Sequence, residues 1–119
     1  MSYDISFRVK VEGVDRYFDI GATSANITWN VRDIICKSTG LEWNNEANNG
    51  RCVDIIPAIA KGYCELVTHP KKYRKYEAPN GWGTVEGTKA FFQQLLRDWD
   101  SFCRDEEEDV INSVTFWIM

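Results

Sequence analysis

Tyr3-Asp4-Ile5-Ser6-Phe7-Arg8-Val9-Lys10-Val11-Glu12 is the stretch on which the fold turns. Apolar residues hold every odd position and polar residues every even one, the period of two expected of a strand with one wet face. Gly13 ends the run. Arg16-Tyr17-Phe18-Asp19-Ile20 then reads as a returning strand, with residues 12–15 as the hairpin loop. Two strands alone are marginal in water. A third segment of the same period lies at the far end of the chain, where Val114, Phe116 and Ile118 alternate with Ser113, Thr115 and Trp117. The expected sheet is therefore closed by both chain ends.

Three helical patterns lie between those strands. The first covers about 28–38, with Asn26 or Thr28 as its cap and Gly40 as the residue that ends it. After it, Asn44-Asn45-Glu46-Ala47-Asn48-Asn49-Gly50 is rich in turn formers and reads as a mobile surface loop. The second helix spans about 54–68, with Pro57 in its first turn and Ile55, Ile56, Ile59, Tyr63, Leu66 and Val67 on one face. The third, about 84–104, carries the strongest stripe: Phe91, Phe92, Leu95, Leu96, Trp99, Phe102 and Cys103 recur at the spacing of a core-facing helix. The expectation is one α+β domain over residues 1–119. A small antiparallel sheet, built from the N-terminal hairpin and the C-terminal strand, is covered by about three helices in the order ββαααβ.

With 119 residues and 44% apolar content, the chain has enough material for a core without disulfides or metal. No apolar run approaches the roughly 20 residues that a bilayer span needs, so no membrane partner is expected. The opening residues lack the basic and apolar regions of a signal peptide, and a cytoplasmic protein is expected. A net charge of −4 argues against general nucleic-acid binding. Cys36, Cys52, Cys64 and Cys103 show no paired spacing, and the single histidine, His69, completes no metal set, so neither a metal site nor a cofactor is expected. Cys36, Cys64 and Cys103 fall among apolar residues and read as small buried hydrophobes. Cys52 follows the Asn/Gly-rich stretch, where a structural role is less strongly indicated and exposure is the alternative.

No catalytic constellation stands out. His69 sits at a helix-to-loop junction, and a nucleophilic triad would require it to be oriented by a carboxylate beside a serine or cysteine. The acidic run Asp105-Glu106-Glu107-Glu108-Asp109 lacks the spacing of a calcium loop and reads as a solvated connection. Residues 69–84 differ in kind. His69, Lys71, Lys72, Tyr73, Arg74, Lys75, Tyr76, Asn80, Gly81, Trp82, Gly83 and Thr84 combine cations, aromatic faces and a helix entry. That is the combination nucleotide sites use for phosphate contacts, base stacking and anion binding by free N–H groups. The same residues also suit a loop that covers the core, with Tyr73, Tyr76 and Trp82 packed inward, Thr84 capping and the lysines solvated. A second polar and aromatic cluster, Asn26, Thr28, Trp29 and Asn30, opens the first helix. If the two helix entries face each other, they share a pocket walled by Trp29 and Trp82.

The Tyr3-Asp4-Ile5 opening, the Asn26-Ile27-Thr28-Trp29-Asn30 element, Ile55, Ile56 and Gly62 in the second helix, and Pro79-Asn80-Gly81-Trp82-Gly83-Thr84 before a long helix resemble a family of small uncharacterised proteins of bacteriophages and bacteria. In that family the first element commonly reads Asn-Ile-Thr followed by His or Tyr and Asn, so the chain departs from it at Trp29. The resemblance spans most of the chain, implies a phage setting and transfers no catalytic residues. Residues and setting together suggest a non-enzymatic binding protein that counters host defence, either by sequestering a nucleotide-like signal or by masking a host defence protein. In the first form Lys71, Lys72, Arg74 and Lys75 meet phosphates, Trp82 and Trp29 stack on bases, and N–H groups near Thr84 hold a phosphate. Two rivals are a small enzyme acting on a phosphorylated substrate, with His69 or a tyrosine moving the proton, and a structural phage protein that forms a homo-oligomer through a strand edge.

Overall fold

Ser2–Lys10 forms β1, and three of the other strands pair with it. In the computed structural model, which describes residues 2–10, 13, 16–20, 25–43 and 47–119, Tyr3, Ile5 and Phe7 are buried. The backbone alternates likewise. Asp4 exchanges two hydrogen bonds of 2.8 Å with Met119, at the end of β5 (Thr115–Ile118). Ile5 N–H instead donates to Ala25 O, and Phe7 O accepts from Ile20 N–H, on the other edge. That second edge is shared by β2 (Tyr17–Asp19), opposite Arg8 to Lys10, and β3 (Asn26–Thr28), opposite Ser2 to Asp4. All pairings are antiparallel, and the strand order is β2-β1-β5-β4, with β3 also on β1. The sheet closed by both chain ends is present: Ile5 faces Ile118 and Phe7 faces Phe116.

Among the described residues five α-helices accompany the sheet: α1 (Arg32–Thr39), α2 (Cys52–Thr68), α3 (Pro70–Tyr73), α4 (Val85–Arg104) and α5 (Glu108–Ser113). The Phe7 and Trp99 rings meet edge-on at 5.6 Å, which places the α4 stripe on the apolar face of the sheet. At the centre Trp43 touches Tyr3, Phe91 and Phe116, with centroids 5.9, 6.1 and 5.9 Å away. Offset and edge-on ring pairs of this kind add to simple burial. α1 and α2 close against each other at Gly62, where an added Cβ would lie 2.5 Å from Thr39 Cγ2 and 3.0 Å from Phe92 Cε2. Gly40 ends α1 with φ +77°, the left-handed turn expected of it.

The fold class is α+β, but the order ββαααβ omits two strands and two short helices. Ala47–Arg51, expected within a surface loop, is the edge strand β4, because β5 has a free edge whose backbone groups need partners; residues 44–46 lie outside the described residues, as does most of the expected hairpin loop. Residues 26–31 are β3 followed by a 3₁₀ turn rather than a helix start, with Thr28 Oγ1 accepting from Asn30 N–H. α2 begins two residues earlier than its pattern suggests, so Pro57 lies inside the helix. Cys64, expected to be a buried hydrophobe, is exposed, whereas Cys52, whose N–H donates to Val114 O, is fully buried. Among the described residues no helix is long and apolar enough to cross a membrane.

Candidate binding cleft

The start of α4 is built by a short series of local constraints. Asn80 Oδ1 accepts from Trp82 N–H at 3.0 Å, Gly81 takes φ +76°, and Ala78 N–H donates to Gly83 O at 3.3 Å. This turn needs a glycine at 81 because an L side chain is strained there. Thr84 is the N-cap: its Oγ1 accepts from Gly87 N–H at 2.9 Å. Glu77 carboxylate accepts from Val85 N–H at 2.9 Å. A carboxylate thus occupies the positive end of the helix, where an anion is stabilised by the dipole.

Gly83 brings the second segment in. A Cβ on it would lie 2.7 Å from Asn30 O and 2.8 Å from Asn30 C and Cβ, so the two backbones touch only because no side chain intervenes. The helix-entry segments at 26–30 and 80–84 therefore meet. Between them and α4 runs a cleft of about 230 Å³, lined by Asn26, Ile27, Thr28, Val31, Trp82, Thr84, Gly87, Ala90, Phe91 and Gln94. Its α4 wall is one helical stripe, since Gly87, Ala90, Phe91 and Gln94 recur at steps of three and four. Two of those four are small, and their lost volume is what leaves the wall concave.

Trp82 is 71% exposed, and its side chain makes no hydrogen bond or ring contact among the described residues. Trp29 differs. Its Nε1–H donates to Ser2 O at 2.9 Å and its ring lies 5.8 Å from Tyr3, which draws it back against β1 and away from the cleft lining. The shared pocket thus has one tryptophan wall.

The residues of the basic segment disperse. His69, Lys71 and Lys72 line a separate surface concavity of about 350 Å³ with Thr68 and Pro70. Arg74 reaches Glu86 at 3.7 Å, and Lys75 lies over the Tyr76 ring at 5.2 Å. Tyr73 is buried, donates to Glu65 at 3.1 Å, and has its phenol pushed up from the ordinary value, first by burial and then by that bond. Glu86 carboxyl is held below the usual range, first by its bond to Lys89 and also by the charges of Lys89 and Arg74. Of the sixteen residues singled out in the sequence, Asn26, Thr28, Trp82 and Thr84 line the cleft. Asn30, Asn80, Gly81 and Gly83 shape its walls, and the cations lie elsewhere. The N–H groups of Val85 and Gly87, expected to hold a phosphate, already have oxygen partners in Glu77 and Thr84.

Sequence reasoning missed the floor, formed by Ile27, Val31 and Phe91, and the α4 wall with Gln94. One signal was available: Gly87 and Ala90 interrupt an otherwise bulky amphipathic helix at the spacing that points both toward one side. No family model, curated protein or solved structure matches this chain.

Proposed function

We propose that this protein works by binding, holding the ring portion of a nucleotide-like small molecule in the cleft between the 26–30 segment and the start of α4. The observation that carries this reading is Trp82. A tryptophan face left 71% exposed between two glycines, with no hydrogen bond or ring contact among the described residues, borders an apolar-floored cleft with hydroxyl and amide groups on its rim. Burying such a ring against a flat partner is the usual way a base is held. In the phage setting implied by the sequence resemblance, the biological effect is withdrawal of a nucleotide signal from a host defence system.

Nitrogen-15 labelling of the tryptophan indoles tests the reading. The chain has five, and a Trp82→Phe variant assigns the signal of interest. Titration with mononucleotides, cyclic dinucleotides and cyclic ADP-ribose species is expected to move the Trp82 signal and leave that of the buried Trp43 in place. Ala90→Leu, which fills the cleft from an exposed helix position, is expected to abolish the shift at unchanged melting temperature. If no ligand in the panel moves the Trp82 signal, the binding reading is wrong.

A further inference from the structure

Resting on that reading, we infer that the cleft recognises one uncharged nitrogen heterocycle bearing an exocyclic amino group, as in adenosine, and that phosphate contributes little to its recognition.

Charge comes first. None of the ten lining residues is ionisable. Carboxylates flank the lining: Asp4 is bonded to Asn26 Nδ2 at 2.6 Å, Glu77 holds the N–H of Val85 next to Thr84, and Glu86 precedes Gly87. Two cations lie on that last carboxylate, Lys89 at 2.9 Å and Arg74 at 3.7 Å, and both are engaged with it. A phosphate placed here would face carboxylates and would have to draw Lys89 or Arg74 off Glu86 to be neutralised, which is costly in a partly desolvated site.

Size comes second. At about 230 Å³ the cleft is smaller than the roughly 300 Å³ at which pockets for drug-sized ligands begin. It admits one ring system, so a cyclic dinucleotide would seat only one of its bases.

Donors and acceptors come third. Asn26 Nδ2 already donates to Asp4 Oδ1 and to Ser2 Oγ at 3.0 Å, which leaves Asn26 Oδ1 as an acceptor. Thr28 Oγ1 accepts twice from Asn30, from N–H and from Nδ2, which leaves its hydroxyl hydrogen to donate. Gln94 is exposed with its whole amide unengaged among the described residues. The side-chain amides therefore present two acceptor oxygens and one NH₂ group, and an exocyclic amino group supplies the donor that those oxygens need. A glutamine amide matches the amino and N7 edge of adenine with two bonds. The floor of Ile27, Val31 and Phe91 disfavours a sugar, whose hydroxyls point outward around the whole ring and would be stranded on it. A flat base keeps its polar atoms at its edge.

The test uses the full chain and follows the assigned Trp82 indole signal with adenosine, AMP, inosine and methyl glucoside, at about 50 and 300 mM salt. Adenosine and AMP are expected to bind within about threefold of each other and to show little salt dependence, since no counterions are released. Inosine, which replaces the amino group by an oxo group, is expected to bind about tenfold more weakly. Trp82→Ala is expected to weaken adenosine by about tenfold, and Gln94→Ala to remove the preference over inosine. If AMP binds and adenosine does not, or if methyl glucoside binds in preference, the ligand class is wrong while the binding reading stands. Equal binding of adenosine and inosine overturns the amino-group assignment. Failure of all four, together with the wider nucleotide panel, removes both.

Discussion

Gly83→Ala puts the contact that creates the cleft under direct test. The added methyl would sit 2.7 to 2.8 Å from three atoms of Asn30, against the roughly 3.5–4.0 Å at which carbon atoms rest. About 1 Å of separation is needed, and the neighbour cannot supply it by rotating a side chain, because two of the three atoms are backbone. Asn30 lies in the 3₁₀ turn that leads into buried Val31 and is tied by its own amide to Thr28 Oγ1. The start of α4 must therefore move. Overpacking of this kind costs about 1–3 kcal/mol, and at this chain length each kcal/mol lowers the melting temperature by about 4 °C. A fall of roughly 4–12 °C is expected by circular dichroism, together with a displaced Trp82 indole signal. Gly81→Ala is the control: no atom lies within 4 Å of its Cβ, but φ is +76°, so a loss of about 1 kcal/mol is expected, with Asn30 unmoved. A Gly83→Ala protein melting within about 2 °C of wild type, with an unshifted Trp82 signal, would refute the meeting of the two segments.

Gly62→Ala drives a methyl to 2.5 Å from Thr39 Cγ2 where α1, α2 and α4 converge, and a loss near 3 kcal/mol is expected in urea titration, with the cleft intact. Thr84→Ala removes one cap bond while Glu77 still holds Val85 N–H, so a loss of about 1 kcal/mol is expected, without fraying of α4 in hydrogen exchange. Burial keeps the Cys52 thiol protonated far above its ordinary 9.0, so its contribution is fully present below that pH. Above about pH 9 the unfolded chain holds fewer protons than the native one. Stability should therefore fall with rising pH by up to about 1.4 kcal/mol per unit for this group, a slope that Cys52→Ala reduces. In the native protein a thiol reagent at pH 8 should modify exposed Cys64 first and Cys52 only on unfolding.

Much of the scaffold is legible in local periodicity. The alternation of β1 assigns its buried face residue by residue, and Val114, Phe116 and Ile118 do the same for the C-terminal segment. The stripe of α4 and the left-handed Gly40 are equally local signals. β4 is not legible, because Asn48, Asn49 and Gly50 have poor strand propensity. Their pairing is imposed by the open edge of β5, a tertiary demand that overrides composition. The burial of Cys52 is not legible for the same reason, since it goes with a bond to Val114, sixty-two positions away in the chain.

The cleft shows the division most clearly. From the sequence alone come two helix entries bearing tryptophan, glycine and amide side chains, and the glycines mark places where the backbone turns or approaches another chain segment. Which tryptophan faces outward is decided only in three dimensions. β3 pairs with β1, bringing Trp29 within 2.9 Å of Ser2 O and stacking it on Tyr3, while the Asn80–Gly81 turn leaves Trp82 with no such partner. The cations of residues 71–75 are close in sequence to the cleft wall, yet Lys71 and Lys72 line a separate concavity, Lys75 lies over Tyr76, and Arg74 is held by Glu86. Side-chain period and turn chemistry act over a few residues and can be read directly. The meeting of Asn30 with Gly83, fifty-three positions apart, depends on how the sheet and α4 pack, and no local signal carries it.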